Sequence, residues 1–581
     1  MKAPTETPTT RRRLRDLVFA LLPGTAFMTV FVLRNAWDGS RWRFTLFDDA
    51  LISMAYGRTL ATTGEWVWFP GAERVQGITN PLWSAIMALV HVPFTSPSLA
   101  IITMTILGVV LVLATAIVLY FAILSATSNT PIALAVAAGT PVLYPLTFWA
   151  VRGMEVGLLA LLSSIAVLAV VRVRLSNTQQ RKLWLSTAAL VGCAAVFTRL
   201  DALVLIITII GIAFLTSRSS ERLQWLAVGA IVVVAAAAVF AFQDFYWGDV
   251  LPNTYRLKVE GVSIQERLAR GVFATAKAVP LLILVIIGWC ATWRSRDPSR
   301  SRLLIVGLSS AVVAVALAYS VWTGGDAWEW SLMLNRTISA ALPIGLVAWM
   351  VGTGARGSTT SVPILGLVAL GLAGLGLGME TSPISFDMRL ALIGMGLSSS
   401  AAVIVWWVAR WSSRQGLHAA LMAAAFVIAT SAPGLILWAT NGGLNVSEDR
   451  QFALRSEELA LVTASDARIA VMWAGAPGYY SNRALIDMFG KSDRVIAESS
   501  PSIDPNTGEA FPFIPGHNKW DYEYSIQTLR PDVVFQLGDD RASAEQRVLD
   551  WGYERRCLSD GWVSYFRSDS SLVKWDLLSP C

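Results

Sequence analysis

Charge is what this chain has least of. Only 15% of its 581 residues are Asp, Glu, Lys or Arg, against 54% hydrophobic, and the mean hydropathy is +0.54. A soluble protein carries about 25% charged residues, so a soluble globular enzyme is excluded. Histidine is rarer still: His91, His418 and His517 are scattered, and none sits in a zinc-ligand spacing. The net charge of +6 is spread through short loops. No basic stripe with interleaved aromatics is present, which excludes a nucleic-acid partner. The N-terminal "RRRLRDLVFALLPGTAFMTVFVLR" lacks a small-residue cleavage pattern after its apolar core, so it reads as a retained first helix. No internal repeat is present. Of the four cysteines, Cys193 and Cys290 fall in apolar helices as small core residues. Cys557 and Cys581 share a polar C-terminal region, where a disulfide is compatible with an extracytoplasmic location.

What the chain has is apolar runs long enough to cross a bilayer. They predict about 13 spans, near 17–34, 98–124, 131–147, 154–172, 183–199, 202–217, 224–242, 273–292, 303–322, 338–353, 362–379, 389–410 and 417–439. Arg and Lys concentrate in 1–16 and in the alternate loops "RVRLSNTQQRK", "SRSSER", "WRSRDPSRSR", "GARG" and "ARWSSRQ". The opposite loops hold "FDDA", "DFYWGDVLPNTYRLK" and "GGDAWEW". Positive loops stay inside, which predicts a plasma-membrane protein with a cytoplasmic N-terminus and an extracytoplasmic C-terminus.

The first external loop, 35–97, holds an amphipathic segment, "DALISMAYGRTLATTG", and an apolar one too short for a span, "NPLWSAIMALVHVPF". Both predict helices lying along the membrane, the second interfacial or re-entrant. Residues 440–581 turn polar and predict a separate α/β domain. It would hold a capped helix at "NVSEDRQFALRSEELALVTAS", strands at "RIAVMWAG" and "DVVFQLG", and a closing hairpin at "WVSYFRSDSSLVKWDLL".

An ionisable residue at membrane depth costs about 2.5–3.5 kcal/mol on insertion scales and needs a reason. Several stand at predicted external helix ends: Asp48 and Asp49; Arg152 and Glu155; Arg199 and Asp201; Asp244, Asp249, Asn253, Tyr255, Arg256 and Lys258; and Asp326, Glu329 and Arg336. Several have a plainer reading, and adjacent carboxylates in an external loop are usually solvated surface. Arg152 and Glu155 form an i, i+3 pair, and Arg199 reaches the interface with Asp201 as counter-ion. "GGD" is a tight turn, and the tryptophans form an aromatic belt. Yet all lie on one side of the membrane. A cavity there would bring together carboxylates, cations and aromatic platforms. Those parts suit transfer of a sugar from a lipid phosphate: cations for the phosphate leaving group and a carboxylate as general base for an acceptor hydroxyl.

This organisation resembles the GT-C glycosyltransferase superfamily. Within it, "FDDALISMAYGRTLATTGEWVWFPGAERVQGITNPLW", "GDVLPNTYRLKVEG", "GGDAWEW", "GAPGYYSNRALIDMFGKSD" and "PGHNKWDYEY" resemble a family of mycobacterial terminal β-(1→2)-arabinofuranosyltransferases. The resemblance implies a GT-C-like core over 17–439 and an extracytoplasmic α/β domain over 440–581. It implies decaprenylphosphoryl-arabinofuranose as the lipid-linked donor, arabinan ends of arabinogalactan or lipoarabinomannan as acceptor, and inversion in one displacement. The family's first-loop acid falls on Asp48 or Asp49, one acting as base while the other orients it or a divalent cation (Mg²⁺, Mn²⁺ or Ca²⁺). Arg152, Arg199, Lys258 or Arg336 would hold the phosphate and Asp326 the sugar hydroxyls, with Glu155, Asp201, Asn253 and Tyr255 around them. Two other readings stay open: a transferase of the same architecture moving mannose or another pentose, and a transporter or scaffold, which inverted repeats would favour.

Overall fold

The apolar runs become helices, and the loops between them fold back over one end of the bundle. The computed structural model describes residues 8–295, 299–327, 334–354, 396–405, 408, 414–443, 445–503, 508, 510–511, 513–538 and 541–581. Seven helices among them are long and apolar enough to cross a membrane. These are α1 (Pro8–Ala36), α4 (Pro97–Thr127), α7 (Val156–Leu175), α10 (Ser219–Trp247), α14 (Arg300–Trp322), α15 (Arg336–Thr353) and the helix Gln415–Asn441. Two further apolar stretches are broken. α5 (Thr130–Gly139) bends by 54° into α6 (Tyr144–Val151), and α12 (Ile264–Ala276) bends by 71° into α13 (Val279–Trp293). Prolines stand at both breaks, Pro141 and Pro145 in one and Pro280 in the other, where the missing N–H interrupts the ladder. The expected spans at 183–199 and 202–217 are α8 (Thr178–Thr198) and the shorter α9 (Ala202–Thr216). The stretch 362–379 lies outside the described residues, and 389–410 contributes the helix Gly396–Val405 and Val408. The chain is a multi-pass membrane protein.

The first long loop folds as two helices, α2 (Asp48–Thr63) and α3 (Pro81–His91). α2 is not the surface helix expected from its pattern: ten of its 16 residues are buried. Leu51 and Met54 pack into the core of the helical bundle, while Ile52, Ala55 and Tyr56 pack against the C-terminal domain. Its apolar residues are covered by protein on both sides. Gly57 permits the close approach to α3, because a Cβ there would lie 2.9 Å from the Ser84 carbonyl oxygen.

The C-terminal domain carries a six-stranded sheet in the order β2-β1-β3-β5-β4-β6. β2 (Ala484–Asp487), β1 (Arg468–Val471) and β3 (Val533–Val534) run parallel, and β5 (Val563–Arg567), β4 (Tyr553–Cys557) and β6 (Ser579–Pro580) continue the sheet antiparallel. The hairpin therefore joins β4 to β5 and is not the terminal one expected. "WVSYFR" pairs backwards onto "YERRC", with Tyr553 opposite Arg567 and Cys557 opposite Val563. Cys557 and Cys581 form a disulfide that ties β6 to this edge. The expected helix is present at Val446–Val462, but the Asn445 side chain does not cap it and the residue adopts φ +50°.

Domain and bundle are joined by polar contacts as well as apolar ones. Arg43 pairs with Glu457 at 2.6 Å, and Arg450 donates to the carbonyls of Asn35 and Trp37. Arg152 pairs with Asp449, both buried. The result places the far edge of the sheet, β2, over the end of the bundle where α2 begins.

Candidate active site

The site is built from chain breaks. α6 ends at Val151 and α7 begins at Val156; between them Gly153 takes φ +87°, and a Cβ there would meet the Leu46 side chain at 2.8 Å. Phe47 donates its amide to the Arg152 carbonyl at 2.9 Å, so the start of α2 is stitched to this break. Glu155 stays behind at the head of α7, buried, where it accepts from Asn80 Nδ2 at 2.9 Å and from Arg199 at 2.8 Å. Arg199 and Asp201 occupy the next break, between α8 and α9. They form a two-point pair at 2.9 and 2.6 Å, and the Tyr319 hydroxyl also donates to Asp201. A third break, Gly324-Gly325-Asp326, lies between α14 and α15. Both glycines have φ near +80°, and Asp326 takes a two-point pair from Arg336, at 2.6 and 2.8 Å.

These breaks surround one cavity of about 430 Å³, within the size range of small-molecule sites. Asp49, Glu155, Asp201 and Asp326 contribute four carboxylates to its wall, and Arg199, Lys258, Arg336 and Lys491 contribute four cations. Tyr255 lines it as well. The structure thus brings eight of the predicted residues to one wall: Asp49, Glu155, Arg199, Asp201, Tyr255, Lys258, Asp326 and Arg336. Asp48, Arg152 and Asn253 stand outside it. Arg152 does not pair with Glu155 along a helix, because the helix is broken between them; its partner is Asp449. Burial pushes the Asp449 carboxyl well above its usual range despite Arg152. Asn253 donates to the Gly490 carbonyl at 3.1 Å and shapes a loop instead. Glu329 lies outside the described residues.

The two adjacent carboxylates part company. Asp48 accepts from the amides of Gly475 and Ala476, at 3.1 and 2.8 Å, and docks the loop after β1. Burial raises its pKa to about 6 against those two amides. Asp49 faces the cavity and accepts from Lys491 Nζ at 2.8 Å and from Arg336 at 3.1 Å. Burial would raise its pKa, but the two cations outweigh it and hold the carboxyl well below the usual range. At Asp326 the same contest ends the same way, Arg336 and Lys258 outweighing burial.

Lys491 and His517 were not among the predicted site residues, although both lie in stretches that carry the resemblance, "MFGKSD" and "PGHNKW". They come from the C-terminal domain. Burial, reinforced by Lys491, lowers the His517 pKa to about 3, so the imidazole is neutral. Lys258 differs from the other three cations. It donates no hydrogen bond among the described residues, its Nζ lies 3.9 Å from Asp326, and burial lowers its pKa.

The charge pattern does not fit a divalent cation. A hard cation of this kind takes about six or more oxygen ligands, yet Asp49 already faces an ammonium and a guanidinium, and both oxygens of Asp48 face amide donors. Among the described residues no three His, Cys, Asp or Glu side chains converge.

The fold itself is found among solved structures. ArnT from Cupriavidus metallidurans bound to undecaprenyl phosphate matches with a TM-score of 0.55 and 11% identity, over 96% of this chain and 98% of that one. Its apo state matches at 0.54 and 13%, over 95% and 98%. The chain has the GT-C fold. Archaeal oligosaccharyltransferase AglB from Archaeoglobus fulgidus, in complex with an inhibitory peptide and a dolichol-phosphate, gives 0.47 and 10%, over 97% of this chain and 75% of that one. By sequence, residues 445–572 match a family described as a domain of unknown function, DUF8728. No curated protein matches.

Proposed function

We propose that this chain is a membrane glycosyltransferase that takes its sugar from a polyprenyl phosphate. The further reading is that it moves arabinofuranose from decaprenylphosphoryl-arabinofuranose to terminal arabinan residues with inversion, forming β-(1→2) linkages. The observation that carries the first part is the cavity, whose wall combines charged side chains with apolar ones. Asp49, Arg336 and Lys491 line it together with Leu203, Val204 and Phe240 of α9 and α10 and with Leu251 and Leu257. Val204 keeps exposed apolar surface, and in this reading that surface meets the lipid tail of the donor. The GT-C fold shared with a protein bound to undecaprenyl phosphate supports the same donor class. The choice of arabinose rests on the sequence resemblance.

In this reading the acceptor hydroxyl oxygen attacks the anomeric carbon and the bond from that carbon to the phosphate oxygen breaks. The electron pair leaves with decaprenyl phosphate, and the hydroxyl proton passes to Asp49. The leaving group is a phosphate, so its departure needs cations and no acid. Lys258 is the phosphate ligand that costs least to recruit, since the two arginines are committed to carboxylate pairs. Its chain neighbour Leu257 on α11 (Asn253–Val259) lines the cavity as well, so one short helix supplies both a cation and an apolar side chain to the wall. The loop after β2 and His517 form the acceptor side. The Cys557–Cys581 disulfide favours an oxidising compartment for the C-terminal domain, with the N-terminus in the cytoplasm.

The test is transfer by the purified chain from synthetic decaprenylphosphoryl-arabinofuranose to an arabinan oligosaccharide, run beside decaprenylphosphoryl-mannose and -ribose. Arabinose transfer with a β-(1→2) product establishes the reading. Transfer from another of these donors keeps the enzyme class and replaces the sugar. Silence with all of them while a polyprenyl-phosphate sugar still binds supports a transporter or scaffold and refutes the reading.

A further inference from the structure

Asp49 is served from two bodies. Arg336, the first residue of α15, comes from the membrane bundle, and most of its guanidinium is already taken: Nε and one terminal nitrogen bind Asp326, leaving the other to reach Asp49 at 3.1 Å. Lys491 comes from the C-terminal domain, and its shortest contact is with Asp49 at 2.8 Å. The loop that carries it is built to hold that position. Asp487, at the end of β2, accepts from the amides of Phe489 and Ser492 at 3.0 and 2.7 Å. Gly490 takes φ +77°, and a Cβ there would lie 2.8 Å from the Ala497 amide. Its carbonyl receives Asn253 Nδ2 from the bundle side. Two carboxylates away from the cavity thus set the place of Lys491: Asp48 docks the domain through Gly475 and Ala476, and Asp487 shapes the loop from within the domain.

We propose that Lys491 is a positioning residue for Asp49, the C-terminal domain supplying the cation that orients the carboxylate in the cavity. On this view the domain is part of the reaction centre as well as a support for the acceptor. The inference rests on the transferase reading above. A carboxylate held by Arg336 alone has one contact, on one oxygen, from a group shared with Asp326. It is free to turn about that contact. A base misplaced by about 1 Å loses on the order of a hundredfold in rate. Donor binding, set by Lys258 and the apolar wall, would not change with it.

The experiment measures transfer by wild type, Lys491→Met and Lys491→Arg in the full-length chain, together with the unfolding midpoints of Lys491→Met, Asp49→Asn and the double variant. Lys491→Met is expected to lower kcat about a hundredfold while the donor KM stays within threefold. Lys491→Arg, which restores a cation, is expected to recover at least a tenth of the wild-type rate. A kcat within threefold of wild type for Lys491→Met overturns the proposal. So does a loss that appears chiefly in the donor KM, which would make Lys491 a phosphate ligand. Wild type silent with every donor defeats the transferase reading instead, and the midpoints then still decide whether the pair exists. If the two single effects simply add in the double variant, the contact is not formed and the positioning role falls with it.

Discussion

Asp49→Asn removes both roles that Asp49 holds, counter-ion and base. The carboxylate and Lys491 are both nearly buried, with side-chain exposures of 12% and 11%. Removing one member of such a pair leaves the other charge uncompensated and costs about 3–5 kcal/mol. Arg336 keeps Asp326, so most of that cost falls on Lys491. The same substitution removes the base. General-base assistance is worth about 10²–10⁴ in rate, or roughly 3–5 kcal/mol in the barrier. The single variant is therefore expected to be both less stable and nearly inactive, which alone would not distinguish a catalytic loss from a folding one.

Adding Lys491→Met distinguishes them. With both charges gone, the pair is replaced by neutral groups of similar size, a change that is often close to neutral for stability. Thermal unfolding in detergent should return most of the way to wild type. Initial transfer rates at saturating donor should remain at least a hundredfold down, since no base has been restored. If the double variant recovers both stability and more than a tenth of the wild-type rate, Asp49 is only the partner of Lys491. The base would then have to be sought at Asp326 or Glu155.

Three other variants test neighbouring parts. Asp48 has its pKa raised to about 6 from an unfolded value of about 3.9. It therefore contributes stability present below about pH 4 and lost as pH rises through 6, about 3 kcal/mol in all; the unfolding midpoint of wild type should fall over that window more than that of Asp48→Asn, and equal slopes would refute the burial argument. Lys258→Met should raise the donor KM roughly 10–100-fold, the loss of a charged hydrogen bond, with a smaller effect on kcat; an unchanged KM removes Lys258 from the phosphate. Cys557→Ser should cost roughly 2–4 kcal/mol of domain stability and leave transfer intact, because β6 and β2 are opposite edges of the sheet; loss of activity in a folded variant would contradict that separation.

The helices of the bundle were legible because length and hydropathy decide them almost alone. The charge pattern also pointed to eight of the cavity's residues, since an ionisable group at a helix end near lipid is costly and therefore placed. Pairings were harder to read. Arg152 and Glu155 look like helix neighbours until Gly153 turns the chain at φ +87°, and glycine alone does not announce that break. β4 was hidden because Glu554 and Arg555 face solvent and disguise a strand as a charged loop. Lys491 was invisible as a site residue for a different reason: it lies 442 positions from Asp49, and no local pattern links them. The glycines of "GGD" do make the tight turn, as the plain reading has it, and the turn also delivers Asp326 to Arg336.

Successive residues on an α-helix point about 100° apart, and that angle explains why two adjacent acids do different work. Both open α2, where the helix N-terminus favours negative charge, but their side chains leave in different directions. Asp48 turns to the loop after β1, whose backbone comes so close that a Cβ on Gly475 would lie 1.8 Å from the Asp48 carbonyl oxygen. Asp49 turns to the cavity and to Lys491. The docking of the domain and the charging of the cavity therefore share one rigid turn of helix. A shift of the domain at Gly475 would carry Lys491 with it, because both loops leave neighbouring parallel strands, β1 and β2. The pair of acids fixes the distance between the two bodies as well as the charge at their junction, and neither acid can replace the other.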